Sequence, residues 1–128
     1  MKEFSINLDY YGLLNLHKAL LEAKFHANPD NELVSGSPLV ADIYIQVRDL
    51  LIQSSKSEQW KSWFQLKNRS DYKNRAIIRV LTNERWKNAS DEEKKQIAGD
   101  YLAPFIYDEK ELIDLVAEID AEHQASLV

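Results

Sequence analysis

The sequence predicts an all-α protein, a single compact bundle of about five to six helices spanning residues 1–128, with a short extended arm at its N-terminus. Three observations lead to that fold class. Apolar residues recur at spacings of three and four through most of the chain. Only three Gly and three Pro interrupt the 128 residues, so breaks between elements are few. Ser90-x-x-Glu93 and Asp108-x-x-Glu111 carry the residue types of reciprocal N-terminal helix capping. The 45% hydrophobic content is far above that of a disordered chain, and no repeat, low-complexity tract or shift in composition divides it into domains.

Phe4, Ile6, Leu8 and Tyr10 alternate with polar residues, but no partner strand can be found elsewhere, so this segment reads as an extended arm. Asp9 is suited to cap a first helix, in which Leu13, Leu16 and Leu20 lie beside a stripe of Tyr10, Leu14, Leu21 and Phe25. That helix is expected to reach Ala27, where Asn28-Pro29-Asp30-Asn31 stops it. Ser37-Pro38 supplies the cap and first position of a second helix over residues 38–53. There Asp42, Gln46, Asp49 and Gln53 share one narrow stripe. Leu39, Val40, Ile43, Ile45, Val47, Leu50, Leu51 and Ile52 cover the remaining circumference, the pattern expected of a central helix.

A short third helix, which Ser57 can cap, sets Trp60, Trp63, Phe64 and Lys67 on one face as an aromatic lid. A fourth is expected from Ser70 to Lys87, with Ile77, Val80 and Leu81 inward, Arg75 and Arg79 on the solvated side, and Trp86 pointing away from the apolar stripe. The fifth begins at Ser90 and stops before Pro104, whose ring disfavours helical geometry in its predecessor. The sixth runs from Glu109 to Gln124. It turns Leu112, Leu115, Val116 and Ile119 inward, and Lys110, Glu111, Asp114 and Glu118 toward water.

The absence of Cys removes disulfides, thiolate metal sites and Cys nucleophiles, as fits a reducing compartment. Residues 1–10 lack the apolar run of a signal peptide, and no stretch approaches the ~20 apolar residues of a membrane span, so a cytoplasmic protein is expected. Gly12, Gly36 and Gly99 are too dispersed to cradle phosphate, and no Gly-x-Ser-x-Gly elbow is present. No catalytic residue is assigned, and neither enzyme activity nor a cofactor is expected. Three histidines invite a metal or general-base assignment. Glu22 and His26 could offer two ligands from one helix face, but the Glu-x-x-His repeat of bundle metal sites is missing, and a surface ion pair is expected instead. His17 and His123 fall on inward stripes and read as imidazoles at the edge of the core, so no metal is expected.

The net charge of −5 conceals a division by segment: −3 over residues 1–55, +6 over 56–87 and −8 over 88–128. Two binding surfaces follow. Lys67, Arg69, Lys73, Arg75 and Arg79, near Trp63, Tyr72 and Trp86, form a mixture that could hold phosphates and stack bases. Against nucleic acid stand the low pI of 5.2 and the lack of a recognition-helix module. The acidic tail offers Tyr101, Tyr107, Asp108, Glu111, Asp114, Glu118 and Glu122, carboxylates beside aromatics, a combination suited to a basic protein surface. Acidic outer faces also serve as ordinary solubilising surface.

A small, acidic, Cys-free helical chain with Tyr and Trp beside the carboxylates of residues 101–122 resembles, in general type, the bacterial toxin-immunity proteins of colicin and contact-dependent growth inhibition systems. The resemblance implies a non-catalytic inhibitor that binds a cognate toxin, frequently a basic nuclease, and covers its active site or substrate groove. It implies a basic partner; no membrane association is expected, since no stretch is long and apolar enough to span one. The +6 segment departs from what a wholly acidic mimic would need.

Overall fold

A computed structural model describes residues 2–26 and 33–126. Among these, six α-helices form: α1 (Tyr10–Phe25), α2 (Pro38–Ile52), α3 (Ser57–Trp63), α4 (Ser70–Val80), α5 (Asp91–Leu102) and α6 (Glu109–Ser126). No strand occurs among the described residues, and residues 2–9 run as an exposed arm without regular structure. Ala27 and the helix stop at Asn28–Asn31 lie outside the described residues.

Local capping chemistry sets most helix starts. Asp9 Oδ1 accepts the Gly12 N–H at 2.8 Å, and Ser37 Oγ accepts the Val40 N–H at 3.2 Å ahead of Pro38. Both capping boxes close. Ser90 Oγ accepts from Glu93 N–H while Glu93 accepts from Ser90 N–H, and Asp108 and Glu111 exchange the same pair. Ser57 does not act as a cap. It is the first residue of α3, and the Lys56 before it makes no side-chain cap bond.

The helices pack α1 on α2 and α4, α2 on α3 and α5, and α5 on α4 and α6. Tyr44, Leu51, Phe64, Trp86, Leu102 and Ile119 are the large side chains at the centre of the core. One backbone stitch fastens the α3–α4 connection to the α5–α6 connection: Leu66 N–H donates to Ile106 O at 3.0 Å, and Ile106 N–H to Phe64 O at 2.8 Å.

Two expectations are corrected. α4 ends at Val80, seven residues before Lys87. Thr82 Oγ1 donates to the Arg79 carbonyl at 2.7 Å and Asn83 Oδ1 accepts the Arg85 N–H at 2.9 Å, so these side chains bind backbone groups in a non-helical turn. The turn redirects Trp86 into the core, where it is 1% exposed, rather than away from it. α2 is central on one side only. Ala41, Tyr44, Val47 and Leu51 are buried, whereas Leu39, Ile43 and Leu50 remain 77%, 49% and 51% exposed.

Candidate protein-docking surface

Three of the five basic residues expected to hold nucleic acid are turned to helix ends. The last carbonyls of an α-helix lack intrahelical donors and carry partial negative charge, which a cation both satisfies and neutralises. Arg69 Nε donates to Trp63 O at 2.9 Å at the end of α3, with its guanidinium 4.5 Å above the Trp63 ring. Arg75 Nη1 donates to Phe25 O at 3.1 Å and Arg79 Nη2 to His26 O at 3.5 Å, both at the end of α1. Lys73 Nζ lies 3.9 Å from the Glu118 carboxylate. Of the five residues expected to hold nucleic acid, Lys67 is exposed with no ion pair among the described residues.

The acidic residues are arranged differently. Asp114, Glu118 and Glu122 are spaced by four on α6, form one stripe and are all exposed. Lys110 pairs with Asp114 at 3.0 Å. Asp108 and Glu111 belong to the capping box, and Asp120 is drawn inward, its Oδ1 accepting from Trp86 Nε1–H and Lys94 Nζ, each at 2.9 Å. Tyr101 does not reach the surface. Its hydroxyl accepts from Asn83 Nδ2, and its ring lies so close to Gly36 that a Cβ there would sit 2.5 Å from Cζ. Gly36 is therefore needed for that close approach. Tyr107 is half-buried over Gly99.

Tyr107 stands in an open cleft of ≈ 400 Å³ between α2, α5 and the start of α6, lined also by Ala41, Ile45, Gln96, Asp100 and Glu109. Lys95 bridges the rim carboxylates, 3.5 Å from Glu92 and 2.8 Å from Glu109. Burial raises the Asp100 carboxyl above its ordinary value, opposed by the Gln96 hydrogen bond and by Lys24 and Arg85. Burial also raises the Tyr107 hydroxyl, with the Asp100 charge adding to it. Arg48 lines the adjoining cleft, paired with Asp49 at 2.9 Å and donating to Pro104 O at 3.0 Å.

His17 and Lys24 are among the buried polar residues of the interior. The Tyr44 hydroxyl and His17 Nδ1 share a hydrogen bond of 2.7 Å, inside a box of Tyr44, Trp60, Trp63 and Phe64 rings. The aromatic lid thus closes over an imidazole, which burial, and then the charge of Lys18, pushes down to about 4. Lys24, which the sequence reading did not single out, is 1% exposed and donates from Nζ to the carbonyls of Asp100 and Tyr101 at the end of α5. Its signal was its place on the inward stripe, seven residues after His17. The Glu22–His26 contact expected from their spacing is present at 3.4 Å. His123 is half-buried beside Leu81 and Asn83.

Among the described residues no three His, Asp or Glu side chains gather as a metal site, and no helix is long and apolar enough to cross a membrane. Comparison of the chain with protein-family models, with curated proteins and with solved structures finds no match.

Proposed function

We propose that the protein is a binding protein of the immunity type, a cytoplasmic inhibitor that neutralises a cognate bacterial toxin with a basic surface by steric and electrostatic occlusion. The observation that carries this reading is the asymmetry of its charges. Arg69, Arg75 and Arg79 donate to backbone carbonyls at helix ends, while Asp114, Glu118 and Glu122 stay outward in one file, with surface pairs of Asp114 to Lys110 and Glu118 to Lys73. A surface of that kind accelerates encounter with a cationic partner and rejects an anionic one such as nucleic acid. Tyr101 drops out of the partner-facing set because it is buried.

The test is reversal of the stripe. The triple variant Asp114→Lys, Glu118→Lys and Glu122→Lys alters exposed positions and should fold normally. Co-expressed with the product of the adjacent open reading frame, it should fail to bind that product and fail to protect the cell. Equal binding and protection by wild type and variant would remove the reading.

A further inference from the structure

The outward face of α2 leaves several large apolar side chains exposed among the described residues. Helical periodicity gathers Leu39, Ile43 and Leu50 into one stripe, all about half exposed or more. The stripe continues onto the N-terminal arm: Leu50 shares a groove of ≈ 450 Å³ with Ile6 and Leu8. Scattered exposed leucines need no explanation, but three apolar side chains on one helix face, with Gln46 between Ile43 and Leu50 and the arm prolonging the patch, form the pattern of a contact surface.

Its borders state what covers it. Asp42 and Asp49 form the next stripe of the same helix, and over its far shoulder lies the Tyr107 cleft with Glu92, Asp100 and Glu109. Asp100 is offset by Lys24 and Arg85, whereas Asp42, Asp49, Glu92 and Glu109 stand against Arg48, paired with Asp49, and Lys95, shared by Glu92 and Glu109, so the exposed border keeps a net negative charge. A second copy of the chain docked symmetrically by this face would set like charges against like. We propose that the α2 face is the desolvated centre of the docking surface, and that its occupant is a protein segment with an apolar stripe bordered by Arg or Lys side chains. This rests on the binding reading above and adds to it the site of the hydrophobic anchor: the α6 stripe steers the encounter, and α2 holds the complex.

The test is amide chemical-shift mapping of the isotope-labelled protein with two synthetic amphipathic helical peptides, one of Leu and Arg and its twin of Leu and Glu. The Leu/Arg peptide should give saturable shifts along residues 39–50 and around Tyr107, and bind about tenfold or more tighter than its twin. Ile43→Asp, at an exposed position, should keep the native spectrum and lose about tenfold in affinity, while Asp114→Lys with Glu118→Lys should lose far less. Shifts confined to Asp114, Glu118 and Glu122 would overturn the α2 assignment and leave the binding reading intact. Equal binding of the two peptides would overturn the stated chemistry, and no saturable shift on any face would overturn both.

Discussion

Lys24 Nζ lies 2.6 Å from the carbonyl oxygen of Asp100, a residue 76 positions later, and 2.9 Å from that of Tyr101. One buried side chain from the end of α1 therefore closes the C-terminal end of α5. Burial pushes its amine down to about 7, partly offset by the Asp100 carboxylate. In the unfolded chain the same group titrates near 10.5. Between those values the unfolded state holds a proton that the folded state has released, so stability rises with pH there and is flat with respect to this group below 7. The expected slope is about 1.4 kcal/mol per pH unit. Urea unfolding of wild type and Lys24→Met between about pH 7 and 9 checks it, short of the range in which ordinary tyrosines ionise. Identical slopes for the two proteins would refute the assignment.

His17 gives the acid limb. With its imidazole held down to about 4 by burial, against an ordinary 6.5, the folded state resists protonation that the unfolded state accepts. Its contribution is complete above 6.5 and is lost as pH falls through 4, on the order of 3 kcal/mol in all. Nitrogen chemical shifts of the ring should stay those of a neutral imidazole down to about pH 5. Titration of His17 near 6.5 would show that the aromatic box is open to water.

Trp86 ties the turn after α4 to α6. It is 1% exposed, its Nε1–H donates to Asp120 at 2.9 Å, and Lys94 stands 5.6 Å from its ring while bonding the same carboxylate. Trp86→Phe removes a donor to a charged acceptor and leaves part of the indole volume empty, which should cost about 2–4 kcal/mol. In a double-mutant cycle with Asp120→Ala, which removes the acceptor, the two changes should be non-additive, because they share one hydrogen bond. Full additivity would mean that the contact contributes nothing.

The sequence disclosed what short-range chemistry decides. Ser37-Pro38, Ser90 with Glu93, and Asp108 with Glu111 lie within a turn of their partners, and those helices begin where the residues direct. What escaped was one local competition for backbone groups and, beyond it, non-local packing. The end of α4 depends on Thr82 and Asn83 binding backbone groups rather than water, and the inward swing of Trp86 depends on that turn. Leu39 and Leu50 are as hydrophobic as Leu51, and only the missing neighbour separates the exposed pair from the buried one. For the site, the outward file of Asp114, Glu118 and Glu122 was visible in the spacing, but the burial of Tyr101 against Gly36, 65 positions away, was not.

Arg75 and Arg79 separate the two binding classes. From the sequence they belong to a nucleic-acid surface; in the fold they donate to the Phe25 and His26 carbonyls at the end of α1. If their main work is structural, Arg75→Ala should lower stability by about 1–2 kcal/mol through the unpaired carbonyl and the lost charge at the helix end. Arg75→Glu should cost more, since it sets a carboxylate against that negative end. Filter binding of single-stranded DNA and RNA in low salt should show no retention of wild type at micromolar protein, because phosphate contacts dominate such affinity and these cations already have partners. Retention that falls steeply with salt and disappears in Arg75→Glu with Arg79→Glu, while thermal stability holds, would mean that the guanidiniums leave the α1 carbonyls for phosphate, and the nucleic-acid reading would replace the inhibitor.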